Sequence, residues 1–413
     1  MNEKHYEICI VGAGPSGTSA ALKLAKAGIN CALIDRSAFP REKICGDGIS
    51  GRSLVVLKQL DPSLPGVLKA LPSACPSWGV RFVAPNNKSV DINFRDYNNE
   101  EPPGYVIKRK DFDNLLIEKA RRSEFIDFFE GTKIAGMKTY PEGVNLFGPD
   151  KKESFTCKLL ILANGGSALK QTEQPVISGN IYEPKPGIGI RTYYEGIEGI
   201  AHDFNIEIHF YKKLLPWYLW IFPLSSHSAN VGMGMLHNSV KQNGESMKKT
   251  FFSLLKTEPQ LRERFKNARP LDEIKASRLY YFTGKKQLSG NRYMLVGDAA
   301  GLTDPFTGEG IGNALTSGIL AARTAEKCLA ANDFSRNLTF EYEESLYNQL
   351  LKELELGLRI QDRAHSAKLI NLVVSKARKS KTVRKTLMKM IYNINLMGEL
   401  TNPMFYLKLA LNL

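Results

Sequence analysis

Two glycine-rich motifs, far apart in a chain of 413 residues, limit what it can fold into. The first is Gly12-Ala-Gly14-Pro-Ser-Gly17. It follows Glu7-Ile-Cys-Ile-Val11, an apolar run of strand type, and leads into a helical stretch from Ser19 to Ala27. A second buried strand, Asn30-Cys-Ala-Leu-Ile-Asp35, then ends in a carboxylate about twenty residues beyond the glycines. Each position has a physical duty. Gly12 makes the tight turn, Gly14 lets backbone approach a pyrophosphate, and Gly17 allows close helix–strand packing. The helix N-terminus offers free N–H groups and positive potential to phosphates. Asp35 accepts from ribose hydroxyls. This is the pattern of dinucleotide binding, and Pro15, Ser16 and Arg36 are expected among the same contacts.

The second motif is Leu295-Val-Gly-Asp298-Ala-Ala-Gly301-Leu-Thr-Asp304-Pro-Phe-Thr-Gly308-Glu-Gly310-Ile311-Gly312. Asn291-Arg-Tyr-Met-Leu-Val296 reads as another buried strand, with Asp298 at its end, where ligands of open α/β sheets collect. A helix from about Gly310 to Cys328 is rich in Gly, Ala and Ser and can lie tight against a flat ring. Its dipole favours the negative charge of a reduced flavin. The alternative is a structural loop with Asp298 as N-cap. A nicotinamide dehydrogenase needs only the first motif, whereas FAD held along its length needs both.

These residues carry a resemblance. From Tyr6 to about Leu329 the chain resembles flavoproteins built like para-hydroxybenzoate hydroxylase, and within them the geranylgeranyl reductases. The resemblance implies that residues 12–17 and Asp35 hold the adenosine half of FAD. It makes Asp298 the acid on the ribitol, and Gly308, Gly310 and Ile311 contacts to the ring. Arg109-Lys-Asp-Phe-Asp113-Asn-Leu-Leu116 is similar to an Arg-x-x-Phe-Asp-x-x-Leu segment whose arginine lies near the cofactor. One departure is Ala163-Asn164-Gly165, where the family has Ala-Asp-Gly. Asn still turns a chain, but no acid is carried over there to handle a nicotinamide donor.

Two narrower segments point to the reductase branch. Lys43-Ile-Cys45-Gly46-Asp47-Gly48 resembles a Cys-Gly-(Asp/Glu)-Gly segment bordering the flavin. Gly46 and Gly48 would bring backbone to the ring edge. Cys45, the candidate catalytic residue, would gate the site or donate a proton; the alternative is a small, inert, buried cysteine. Tyr218-Leu-Trp220-Ile-Phe222-Pro223 and the later Asn230-Val-Gly232 look like the Tyr-x-Trp-x-Phe-Pro and Val-Gly of the same branch. Alternation places Tyr218, Trp220 and Phe222 on one strand face. With Pro223 they are the candidate substrate contacts, an apolar wall for a long hydrocarbon, or else ordinary core.

The expected fold class is α/β plus β. A Rossmann-like FAD-binding domain (residues 1–71, 105–170 and 280–332) interleaves with an antiparallel-sheet substrate domain (72–104 and 171–279). A helical, basic and apolar C-terminal region follows (333–413). The net charge of +14 concentrates there, with Lys368, Lys376, Arg378, Lys379, Lys381, Arg384, Lys385 and Lys389 among apolar residues at helical spacing, from Leu369 to Ile394. Met404 to Leu413 is an oily end. A basic amphipathic helix fits peripheral docking on anionic lipid at the inner membrane face. It equally fits a solvated helix packed on its own domain. Nucleic-acid binding is not expected, since no such module is present. The chain enters a strand at once, without a signal-peptide apolar region, and no apolar run reaches spanning length. Six cysteines without a CxxC pair point to a reducing cytoplasm, and scattered histidines such as His202 and His209 to no metal. An oligomeric state is not specified.

The resemblance implies an FAD-dependent reductase of carbon–carbon double bonds in an isoprenoid lipid, with hydride delivered from flavin N5. NAD(P)H or another reductant would supply the electrons. A monooxygenase or halogenase is the first alternative, since halogenases carry a Trp-x-Trp-x-Ile-Pro segment. A non-catalytic, membrane-docked electron carrier or prenyl-lipid binder is the second.

Overall fold

Ile8, Cys9, Ile10 and Val11 are buried in succession at the end of the strand Glu3–Val11. A strand covered on both faces requires such a run. It pairs in parallel with Cys31–Ile34 on one side and Ser154–Leu162 on the other. Ile126–Phe129 and Tyr293–Leu295 extend the parallel sheet outward. Val144–Phe147 joins antiparallel to the start of Ser154–Leu162, and Gly136–Thr139 pairs antiparallel with Val144–Phe147 in turn, a short meander on the edge of the sheet. The computed structural model describes residues 3–97, 100–149, 154–166, 187–236 and 246–392.

The two glycine motifs meet through their helices. Pro15–Lys26 packs against Ile311–Ala331, and Ser19 Oγ donates to Leu315 O at 3.0 Å. The approach is close enough that a Cβ on Gly318 would lie 2.1 Å from Ser16 O. Gly297 N donates to Ser317 Oγ at 3.0 Å, fixing the second motif on the same helix pair.

A second sheet runs in the order Arg269–Pro270, Gly187–Glu195, Ser228–Leu236, Leu219–Pro223, Ile206–His209, Gly79–Val83, Ser89–Asn93. Lys275–Leu279 also pairs with Gly187–Glu195. The sheet is antiparallel with one exception: Ile206–His209 lies parallel to Gly79–Val83. Those two strands come from separate stretches of chain, so no hairpin fixes their direction. Period-two alternation divides its faces cleanly. Leu219, Ile221, Val231 and Met233 are buried with Phe251 and Leu254 of the helix Met247–Thr257. Trp220, Phe222, Ile206 and Ile208 lie on the opposite face. Gly48–Ile49, Gly104–Val106 and Cys75–Ser77 form a small third sheet.

The C-terminal region is helical as far as it is described. Arg336–Arg363 buries Tyr342, Leu346, Leu350 and Leu354 in the first core. Ala367–Ala377 and Lys381–Tyr392 turn Ile370, Val374, Ala377, Val383 and Met388 onto Val80, Phe82, Val90 and Ile92 of the second sheet. Most of their apolar face is thus spent on the chain itself, while Leu369 and Leu372 stay exposed. The side chains of Lys389, Met390 and Ile391, all of Ile394, and the oily stretch 404–413 lie outside the described residues. No helix among the described residues is long and apolar enough to cross a membrane.

Candidate active site

One cavity begins at the first glycine loop and ends on the aromatic face of the second sheet. At the near end it is lined by Gly12, Gly14, Pro15, Ser16, Asp35 and Arg36. Gly12 has a φ of +105°, and a Cβ there would lie 2.3 Å from Ala163 O. The turn therefore requires glycine. Gly14 is different: a Cβ would meet only Arg41 Nη2, at 3.6 Å, so its missing side chain leaves the cavity open. Pro15 opens the helix at a position where no N–H is needed. Gly17 does not line the cavity; a Cβ there would fall 1.8 Å from Gly12 O.

The carboxylate of Asp35 is held against this loop. Its Oδ2 accepts from Ala13 N at 2.7 Å and its Oδ1 from Ser37 N at 2.8 Å. Each oxygen keeps a lone pair for a ligand hydroxyl. Asn164, across the loop, lines the same cavity with a buried Oδ1 that has no partner among the described residues. Bare backbone at Gly14, a helix N-terminus, a fixed acid and an orphaned acceptor together fit the adenosine and pyrophosphate of FAD.

Midway, the cavity is bordered by Asp298, Gly308, Gly310 and Ile311 on one side and by Cys45, Gly46, Gly48 and Arg109 on the other. Asp298 lies in the tight turn Gly297–Ala300, with Lys43 Nζ 3.8 Å from its Oδ2. Gly308 has a φ of +71° and stands next to the Tyr218 hydroxyl. Ile311 opens the long helix, whose Gly312 N donates to Glu309 Oε1 at 2.7 Å. Asp304 ties the turn before it by accepting from Phe306 N, Thr307 N and Thr307 Oγ1. Burial pushes the Asp304 carboxyl up to about 6, against the lowering effect of those hydrogen bonds.

Arg109 is fully enclosed and makes a bidentate pair with Asp113, at 2.8 and 2.9 Å. Burial alone would lower its pKa; Asp113 and the hydrogen-bonded Cys45 outweigh it and raise the guanidinium. Of the six cysteines only Cys45 is partly exposed, and the others are buried. The inert alternative therefore describes the other five better than Cys45.

Sequence reasoning did not anticipate the network behind that loop. Asp47 Oδ2 accepts from Tyr193 Oη at 2.8 Å and from Asn230 Nδ2 at 2.7 Å. Asn230 Nδ2 also donates to Cys45 O at 2.8 Å, and its Oδ1 accepts from Trp220 Nε1 at 2.9 Å. Two acceptors on one side and a donor on the other fix the amide orientation. Asp47 sits at φ +67°, a conformation held for a non-glycine residue by such surrounding contacts. Burial pushes its carboxyl up to about 6 despite the donors from Asn230 and Tyr193. A polar residue at an odd place on an apolar strand was the signal: Asn230 interrupts the otherwise apolar run from Ala229 to Leu236.

Tyr218, Trp220 and Phe222 share the cavity face, as alternation requires, and Phe222 packs onto the loop 3.1 Å from where a Gly46 Cβ would be. Tyr218 Oη donates to Thr307 O. Pro223, expected beside them, does not line this cavity. Its odd position puts it on the other face of the strand, where it pairs with Ala229. Trp217, not among the expected contacts, does line the cavity.

Comparisons with known proteins agree with this geometry. The model of the FAD binding domain family matches residues 5–179. The digeranylgeranylglycerophospholipid reductase 2 of Methanosphaera stadtmanae is 30% identical over 380 residues, covering 86% of this chain and 88% of that protein. A 1H-pyrrole-2-carbonyl-[peptidyl-carrier protein] chlorinase of Pseudomonas fluorescens is 24% identical, covering 84% of this chain and 82% of the chlorinase. Among solved structures, a geranylgeranyl bacteriochlorophyll reductase-like protein of Thermoplasma acidophilum superposes with a TM-score of 0.80 at 21% identity, covering 97% of this chain and 99% of its own. With both glycine motifs on one cavity and the Methanosphaera reductase aligned at 30% identity over most of both chains, the protein belongs to the geranylgeranyl reductase family of FAD-dependent oxidoreductases.

Proposed function

We propose that the enzyme reduces carbon–carbon double bonds in an isoprenoid lipid of geranylgeranyl or prenyl-quinone type. The observation that carries this is the continuity of the cavity: an aromatic strand face abuts the loop 45–48, where the FAD-side lining ends. In this reading Gly12, Gly14, Pro15, Ser16, Asp35 and Arg36 hold the nucleotide half of FAD, with Gly17 allowing the close turn. Asp298 holds the ribitol, and Gly46, Gly48, Arg109, Gly308, Gly310 and Ile311 border the ring. Tyr218, Trp220 and Phe222 line the hydrocarbon.

Bound FAD, once reduced, supplies the hydride for one alkene carbon. An isolated double bond offers no carbonyl to polarise, so the protein's part is alignment in a dry pocket. Trp220 is suited to that, because its indole is pinned by Asn230. Tyr218 serves as wall, since its proton is committed to Thr307 O and burial raises its pKa further. Cys45, partly exposed beside Arg109, is the proposed catalytic residue at the flavin end. The electron donor in this reading is NAD(P)H or another reductant. Lipid would be reached at a membrane surface, with exposed Leu369 and Leu372 and the exposed Lys368 and Lys379 of the same stretch as the contact.

The test is direct. Anaerobically reduced enzyme mixed with polyprenyl lipids should yield product heavier by about two daltons per reduced bond, one hydride and one proton. Absence of that gain sinks the proposal. The likeness to the chlorinase supports a second reading, an oxygen-using halogenase or monooxygenase. Reductant consumption that requires both substrate and dioxygen would favour it.

A further inference from the structure

The cavity face of the second sheet carries four glycines on two adjacent strands: Gly187 and Gly189 on one, Gly232 and Gly234 on the other. Gly189 stands directly opposite Gly234. Glycine inside paired strands costs about 0.5–1 kcal/mol each relative to alanine, so each one calls for a reason. For three the reason is an indole lying flat on the backbone. A Cβ on Gly187 would lie 2.2 Å from Trp217, one on Gly234 would lie 2.0 Å from Trp217, and one on Gly232 would lie 2.3 Å from Trp220.

Gly189 has no such reason. A Cβ there would meet Leu279 Cδ1 at 3.2 Å, the far end of a flexible side chain, and the edge of Trp220 at 3.9 Å. Its backbone is ordinary strand and does not need a left-handed φ. Packing and conformation would both admit alanine, and strand propensity would favour a β-branched residue. What the missing side chain leaves free is the cavity. Gly189 lines it together with Gly234, Trp217, Trp220 and Leu279.

The surrounding walls are held in place. Trp220 is fixed through Asn230, and Trp217 packs edge-on against Tyr281 with ring centroids 5.7 Å apart. A wall that cannot swing aside cannot compensate for bulk added to the floor. We propose that Gly189 is a specificity-determining residue. Its bare backbone lets a methyl-branched hydrocarbon pass beyond the aromatic wall, and so sets the length of prenyl chain accepted. This rests on the reading of the site as that of an isoprenoid reductase.

The test uses the holoenzyme and its Gly189→Ala and Gly189→Val variants, with geranyl, farnesyl and geranylgeranyl diphosphates as probes. Flavin absorbance and thermal midpoint report that each variant is folded and loaded. In Gly189→Val, kcat/KM for the geranylgeranyl probe should fall at least about tenfold, the scale of a steric misfit in an apolar pocket. The geranyl probe should stay within about twofold, and Gly189→Ala should fall between. A length profile unchanged from wild type in the loaded variants overturns the assignment, and so does an equal loss at every length. Should Gly189→Val not retain flavin, Gly189→Ala, which the packing admits, decides by the same profile. Wild-type enzyme that reduces none of the three overturns the reading of the site, and this assignment with it.

Discussion

The cavity's two ends are built in opposite ways. At the nucleotide end the work falls to backbone within short stretches: Gly12 turns, Gly14 withdraws, and Asp35 reaches back to Ala13. At the aromatic wall it falls to side chains brought together from distant strands. Asn230 reaches Cys45 and Asp47 across 185 and 183 positions of sequence. A site of the first kind tolerates changes of side chain but not the addition of one. A site of the second kind does not tolerate the loss of a polar partner.

The largest expected effect separates two glycines of the same motif. Gly12→Ala puts a methyl 2.3 Å from Ala163 O at a φ of +105°, so it should cost more than about 4 kcal/mol of stability. Gly14→Val adds its bulk to open cavity and should leave the fold intact. Its FAD affinity should nevertheless drop at least about a hundredfold, about 2.7 kcal/mol, because the backbone can no longer approach the pyrophosphate. Thermal denaturation and flavin titration read the two separately. A stable Gly12→Ala protein, or a Gly14→Val protein with wild-type flavin affinity, would break the comparison.

The same contrast decides what was legible in the sequence. The nucleotide end was readable because its residues are contiguous and their spacing follows from one turn and one helix. The second motif was readable too, with its helix found at Ile311–Ala331 against an expectation of about 310–328. Alternation alone placed Trp220 and Phe222 on a common face. It could not show that Asp47 and Asn230 would meet, since their pairing depends on how a loop and a strand from different parts of the chain pack. Nor could it tell which part of the second sheet would turn parallel, because no short connection joins Gly79–Val83 to Ile206–His209. The C-terminal helices were legible as amphipathic but not as to what they cover. A hydrophobic stripe specifies that burial is needed, and the strand residues Phe82 and Val90 supply it, buried in turn beneath the helices.

An intermediate effect tests the wall. Asn230→Leu keeps approximate shape but deprives Asp47 Oδ2, Cys45 O and Trp220 Nε1 of a partner at once. Unpaired buried groups cost about 1–3 kcal/mol each, so a loss of about 3 kcal/mol is expected by urea denaturation. Trp220 should also become free to move, visible as a weakened near-UV circular dichroism signal in a protein that still holds FAD. Asn230→Asp should be no better than leucine above neutral pH, since it sets a second carboxylate against Asp47. If both variants keep wild-type stability and signal, the side-chain network is incidental.

The smallest expected effect concerns Asp304, which belongs to the second motif and serves a local turn. Its Oδ1 accepts all three hydrogen bonds made to the side chain in that turn, so Asp304→Asn preserves them and removes the charge. Burial raises the folded-state carboxyl from 3.8 to about 6. The folded protein therefore holds this proton more tightly than the unfolded chain does. The stability gained is fully present below about pH 4 and is lost as pH rises through about 6, with a ceiling of about 3 kcal/mol. Asparagine does not titrate, so wild-type stability should fall relative to Asp304→Asn between those limits, and the variant should be the more stable at neutral pH. Urea unfolding of both proteins across that range measures the difference. A variant destabilised at every pH would mean that the charge itself holds the turn, and the local motif would then depend on side-chain electrostatics as the aromatic wall does.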